Sequence, residues 1–237
     1  MKATRNLWHE RAHRARFLAD TYPASREILS FYARLAFWQS RAATEVQGFR
    51  DLPGAAGSLL DMVRSAGPPA LARAAERVEP GEIEVLLREY WESPLALRTR
   101  EFFARALLEM YAAILPEGID CPWCALPPQA GCLRSQGDGL ALELVCALCF
   151  RRRPHPRGCC PNCGESSEST KLAGYTTPAL PHLRLMACDA CKGYLILVDL
   201  SADFGAIPEV DELAGLPLDL WAAGQGYRKL QPNIAGV

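Results

Sequence analysis

Four Cys-x-x-Cys pairs dominate the chemistry this chain could perform: Cys121/Cys124, Cys146/Cys149, Cys160/Cys163 and Cys188/Cys191. A loop of twenty-odd residues, positions 125–145, separates the first two pairs, and positions 164–187 separate the last two. Each half thus repeats one plan of knuckle, loop and knuckle. That is the spacing of a tetrahedral four-thiolate metal site, because two residues between cysteines let a sharp turn aim both sulfurs at one ion. Two consecutive copies point to two metal ions, held by Cys121, Cys124, Cys146 and Cys149 and by Cys160, Cys163, Cys188 and Cys191. Spacing alone leaves zinc and iron both open.

Ten cysteines are present, so two stand outside this plan. Cys132 lies alone in the first loop. Cys159 adjoins Cys160, but only Cys160 has Cys163 at the knuckle offset. Glycine after the second cysteine eases the turn by accepting positive φ. Gly164 meets that expectation, whereas Ala125, Phe150 and Lys192 fill the corresponding positions. A closed site of four protein ligands has no open position for water or substrate, so the expected role of the metals is to hold the fold. No Gly-x-x-x-x-Gly-Lys loop, Gly-x-Ser-x-Gly elbow or His-Glu-x-x-His occurs, and no catalytic residue is assigned.

The rest of the composition narrows the function further. A formal net charge of −1 over 237 residues lacks the basic excess of a nucleic-acid binder. No apolar run reaches the ~18–20 residues of a membrane helix, and the N-terminus lacks a signal-like apolar stretch; the expected location is the cytoplasm. Reduced cytosolic thiols favour metal sites over disulfides. His9 and His13 would share a helical face, a spacing that can bind metal, but with no third ligand nearby and Arg11, Arg14 and Arg16 around them the plain reading is a solvated first turn. The run Arg151-Arg152-Arg153-Pro154-His155-Pro156-Arg157 reads as a solvated linker, or as a grip for phosphate or an acidic peptide.

Hydrophobic periodicity supplies the elements that position the cysteines. Residues 1–117 are expected to form a helical domain. Ile28, Phe31, Tyr32, Leu35, Trp38, Ala42 and Val46 line one face of a helix within Ala24–Gln47. Asp51-Leu52-Pro53-Gly54 reads as a turn, followed by helices around Ser58–Ser65, up to Val78, after Pro80 and, restarting at Ser93-Pro94, through Phe102 to Ile114. Two metal modules follow, 118–156 and 157–203, with strands at Leu140–Val145, Leu183–Ala187 and Tyr194–Val198 and a hairpin turn at Gly137-Asp138-Gly139. Residues 204–237 are expected to be a helical tail, Pro208–Ala214 and Leu216–Ala223, docked by Leu213, Leu220 and Trp221. The fold class is therefore α+β: a helical bundle, two rubredoxin-like or zinc-ribbon-like modules and a short tail.

Taken together, the helical first half, the four knuckles and the stretch Cys188-Asp189-Ala190-Cys191-Lys192-Gly193-Tyr194-Leu195 resemble the formate dehydrogenase accessory protein family, FdhE. Val210-Asp211-Glu212-Leu213-Ala214, Leu218-Asp219-Leu220 and Gly226-Tyr227 are similar to that family's ending. The resemblance is strong over residues 118–233 and architectural before them. It implies a cytoplasmic assembly factor, not an enzyme, that is required for active formate dehydrogenase and contacts the catalytic subunit. It also implies rubredoxin-like iron in both four-cysteine sets. Two further functions fit paired knuckles, a rubredoxin-like electron carrier and a zinc-ribbon nucleic-acid binder.

Overall fold

A computed structural model describes residues 2–93, 100–116, 118–166 and 171–236, without the side chains of residues 2–5 and 80. Six helices come first: α1 (Lys2–Thr21), α2 (Arg26–Ala42), α3 (Leu52–Ala66), α4 (Pro69–Ala75), α5 (Pro80–Glu92) and α6 (Glu101–Ala112). The expected restart at Ser93-Pro94 enters residues 94–99, outside the described part. Asp51-Leu52-Pro53-Gly54 is not a free turn but the start of α3. Pro53 sits in the first helical turn, where its missing N–H has no partner to lose, and the Asp51 carboxylate accepts from the N–H groups of Gln47 and Gly48 at 2.8 and 2.9 Å.

The strands that follow form one sheet among the described residues. They are β1 (Ala130–Gln136), β2 (Gly139–Val145), β3 (Arg152–His155), β4 (Leu172–Thr176), β5 (Leu183–Cys188) and β6 (Gly193–Asp199), with a short β7 (Arg228–Lys229) after the tail helices α7 (Pro208–Asp211) and α8 (Leu216–Gly224). The strand order is β3-β2-β1-β6-β5-β4, with β7 paired to β6. Each set of three strands repeats one plan: a knuckle, an antiparallel hairpin, a second knuckle, a third strand. The two sets join through parallel pairing of β1 with β6, Gly131 opposite Leu197 and Leu133 opposite Asp199.

Alternation along β6 explains how the sheet is covered. Tyr194, Ile196 and Val198 join a single apolar core with Trp8, Leu18, Leu35, Phe103, Leu107 and Trp123 from the helical half. Leu195 and Leu197 point the other way and pack with Leu133, Leu142 and Leu144, as a two-residue period requires. Helices and sheet therefore share one core. Leu213 is buried in it, while Leu220 is 66% exposed and takes no part in docking the tail; Trp221, itself 39% exposed, lies beside Tyr175 at 4.6 Å between ring centroids.

The tail docks through charge as well as apolar contact. Glu209, Asp211, Glu212 and Asp219 are all buried. Arg11 meets Glu209 at 2.5 Å, Arg14 pairs with Asp211 and Lys229 pairs with Glu212. Lys229 also reaches Asp219 at 3.1 Å, whose other donor is the Tyr194 hydroxyl at 2.9 Å. Burial pushes the Glu212 and Asp219 carboxyls above their ordinary range, against the pull of Lys229. The expected solvated turn holds for His9, His13 and Arg16 but is corrected at Arg11 and, in part, at Arg14. Arg11 is 2% exposed, because α1 turns Trp8, Arg11, Ala12, Ala15 and Leu18 inward while leaving His9 and His13 outside.

A second buried pair sits in the helical core. Arg105 and Glu109, one turn apart on α6, are 3.4 Å apart, and Gln39 donates to Glu109 at 3.1 Å. Burial outweighs the attraction of Arg105 and raises the Glu109 carboxyl from 4.5 to about 7. A carboxyl raised on folding contributes stability that is complete below its unfolded value and lost as pH rises through the folded one. Folding should therefore weaken between about pH 4.5 and 7, by an amount on the order of 3 kcal/mol. Denaturant titrations of the native chain and Glu109→Gln across that window test this: the difference between the two curves should carry the slope.

Candidate metal centres

Both sets of four cysteines converge. In each, the four sulfurs lie within 4.8 Å of one another. In the first centre Cys121 is 3.6 Å from Cys124 and from Cys146, and Cys124 is 3.5 Å from Cys149. In the second, Cys160 is 3.8 Å from Cys191 and Cys163 is 3.7 Å from Cys188. A disulfide would bring sulfurs to about 2.05 Å. A tetrahedral ion with metal–sulfur bonds of ~2.3 Å places its ligands about 3.8 Å apart, which is the separation found. Each group is able to hold a metal ion, and the donor set fits zinc or iron equally. Cys132 and Cys159 belong to neither group.

The knuckles bring amide hydrogens to the sulfurs as well as aiming them. Cys146 accepts from the N–H groups of Leu148 and Cys149, Cys160 from Asn162 and Cys163, and Cys188 from Ala190 and Cys191. The repeat is the same in all three: donors two and three residues on. Second cysteines follow suit, Cys149 accepting from Arg151 and Cys191 from Gly193. Thiol hydrogen bonds from Cys121 and Cys149, helped by the two amides, hold Cys146 down to about 2. Such donors spread the negative charge that four thiolates leave on a divalent ion.

Backbone geometry shows what the turn demands. The residue after the second cysteine has positive φ in three knuckles: 75° at Gly164, 58° at Phe150 and 55° at Lys192. Only the glycine was legible as such. The first knuckle differs, since Pro122–Ala125 forms a 3-10 turn ending at Leu126 with φ −87°, so Ala125 meets no left-handed demand. A left-handed non-glycine costs ~1–2 kcal/mol, and the two side chains differ in how they offset it. The Phe150 ring lies under the Arg11 guanidinium at 4.2 Å and edge-on to Trp8 at 6.3 Å. Lys192 reaches only the surface pair Asp189 at 2.5 Å and the Tyr227 ring at 5.3 Å. Lys192→Gly is expected to gain up to about 1 kcal/mol. Phe150→Gly should lose about 2 kcal/mol or more despite the same backbone relief. Thermal melts of the two variants should shift in opposite directions.

Long arginines tie the first centre to the helices. Arg105 donates from α6 to the carbonyl of Ala147, inside the second knuckle, at 2.9 Å and to Gln129 at 2.6 Å. Arg151 turns back to the carbonyls of Leu115, Pro116 and Ile119 at 2.5–2.8 Å, closing the end of α6. Arg157 bonds the Leu140 carbonyl at 3.2 Å. The arginine run is therefore partly an internal clamp rather than a free cationic linker. Cys132 is buried on β1 with its thiol 3.7 Å from Glu143, and burial pushes it up to about 11.

The structure thus defines an α+β protein whose helical region and mixed sheet share one core, with two four-cysteine centres built on paired knuckles. No protein-family model matches the chain. Individual relatives do. It is 25% identical over 192 residues to an FdhE homolog of Aquifex aeolicus, covering 75% of this chain and 68% of that one. An FdhE homolog of Edwardsiella ictaluri is 24% identical over 271 residues, covering 96% and 87%. The match to an FdhE homolog of Pseudomonas putida is 35% over 122 residues, with 48% of this chain and 37% of the relative covered. The crystal structure of the FdhE protein from Pseudomonas aeruginosa superposes with a TM-score of 0.71 at 25% identity, over 97% of this chain and 95% of that one. Over most of its length the chain is similar to FdhE proteins in sequence and in fold.

Proposed function

We propose that this protein is a non-catalytic accessory factor that acts in the cytoplasm in making active formate dehydrogenase and binds that enzyme's catalytic subunit. The observation that carries this reading is the pair of four-sulfur groups, each able to hold a metal ion, in a chain similar to FdhE proteins over most of its length. The eight cysteines are the metal ligands in this proposal, with iron in both centres. Residues 1–117 are the helical unit, 118–156 and 157–203 the two metal modules and 204–237 the docked tail. When bound, each ion supplies a cross-link between two knuckles. The residues around it do the rest: the amides share the sulfur charge, Arg105 and Arg151 fix the first module against α6, and Arg11 and Arg14 hold the tail.

No described helix is long and apolar enough to cross a membrane. Co-purification of the full chain with a formate dehydrogenase catalytic subunit, in oxidised and reduced buffer, tests the proposed binding. Association in at least one state is expected. Failure to associate in both, with the metal content intact, contradicts the proposed role.

A further inference from the structure

The two centres are chemically alike and differently placed. Cys121, Cys124, Cys146 and Cys149 are 3%, 2%, 1% and 7% exposed and belong to the core shared by helices and sheet, beside Trp123, Ala147 and Leu148. Arg105 and Arg151 lock the chain around them. In the second centre Cys160 and Cys188 are buried, but Cys163 is exposed and Cys191 half-buried. None of these four joins an apolar cluster. Its partners are surface groups of its own knuckles, such as the Asn162 side chain on Cys191.

We propose that the second centre is an exchange site, at which a metal ion is open to an incoming soft donor, a thiolate or imidazole, through the Cys163 position, whereas the first is a fixed cross-link. Exchange at a four-coordinate ion needs a donor to approach one face of the tetrahedron. The new metal–donor bond forms, the metal–Cys163 bond breaks, and the released thiolate takes a proton from water. No oxidant or reductant is involved. The first centre offers no such face without opening the core, an event limited by the stability of the surrounding structure.

This rests on the proposed ligation by the eight cysteines, and the experiment separates the two. Full-length chain is loaded with zinc, its content measured, and then mixed with excess 4-(2-pyridylazo)resorcinol while the coloured complex is followed. Two zinc ions at the start support the ligation reading, and fewer overturn it. With two bound, release in two equal phases is expected, the second slower by about tenfold or more. A single phase at one rate overturns the exchange proposal alone. Cys163→His, which keeps four donors because imidazole is also a zinc ligand, should change the rate of the fast phase and leave the slow one unchanged; the reverse contradicts the assignment. Brief iodoacetamide treatment of the zinc-loaded chain should label Cys163 before any cysteine of the first centre, and equal labelling counts against it.

Discussion

Cys146→Ser is expected to lose one metal ion per chain and with it the junction between helices and sheet. The sulfur of Cys146 lies 3.6 Å from that of Cys121, in a centre whose cysteines sit inside the main core. A structural four-thiolate zinc site is worth roughly 10–16 kcal/mol of apparent binding free energy, and a whole domain is stable by only about 5–15 kcal/mol. Removing this ion therefore removes an amount comparable to the total. Without it, Trp123, Ala147 and Leu148 lose the cross-link that holds them under α6, and Arg105 loses its fixed acceptor on Ala147. The variant should bind one ion instead of two and become readily cleaved by protease in the helical half. Cys188→Ser makes the same chemical change in the second centre, outside the apolar core. It should also lose one ion but leave the helical half resistant. Equal protease sensitivity of the two variants would contradict this placement.

Arg11→Ala is the second large effect. Its guanidinium is sandwiched between Trp8 at 4.4 Å and Phe150 at 4.2 Å and bonds Glu209 at 2.5 and 2.9 Å, with Glu209 itself 6% exposed. Truncation leaves the Glu209 carboxylate buried without its cation, which costs about 3–5 kcal/mol, and empties the space between the two rings. The loss should be largely recovered when both members are replaced by apolar residues of similar size, Arg11→Met with Glu209→Leu, since a buried pair is often neutral against such a replacement. Urea titrations of the two single variants and the double one form the cycle. If Arg11→Ala costs no more than a surface substitution, under about 0.5 kcal/mol, the buried pair is not as described.

These two sites mark how unevenly the molecule could be read from its sequence. Knuckle spacing located all eight sulfurs that converge, because a two-residue spacing fixes local geometry whatever surrounds it. α2 was legible because Ile28, Phe31, Tyr32, Leu35 and Trp38 recur at helical spacing, although the buried face is turned toward Leu29 and Ala36 and leaves Ile28 and Trp38 half-buried, and β2, β5 and β6 because their apolar runs lead into or out of knuckles. β1 was not. Ala130–Gln136 contains Gly131, Arg134 and Ser135, and it is a strand only because β2 and β6 pair with its two edges. β3 hid inside the arginine run for the same reason, since pairing with β2 decides it.

The buried charges were the larger omission. Arg11 and Arg14 looked like solvated residues because their partners lie almost two hundred positions away. Glu209, Asp211 and Glu212 lie in Pro208–Ala214, which the sequence showed only as a short helix with no role for its carboxylates. Only tertiary contact turns Val210-Asp211-Glu212-Leu213-Ala214 into the anchor of the tail. A signal existed in retrospect: acidic residues interleaved with Val210, Leu213 and Ala214 leave no separate polar face for water. The positive φ at Phe150 and Lys192 had no such signal, since nothing in those residue types announces a left-handed turn.

The most direct measurement is the metal content of the full chain purified without oxygen, by elemental analysis with thiol titration on the same sample. The account predicts two ions per chain, zinc or iron, with the four buried cysteines of the first centre protected from rapid modification and the exposed Cys163 the readiest of the eight grouped thiols to react. A chain that is folded, free of metal and reactive at all eight thiols would contradict it.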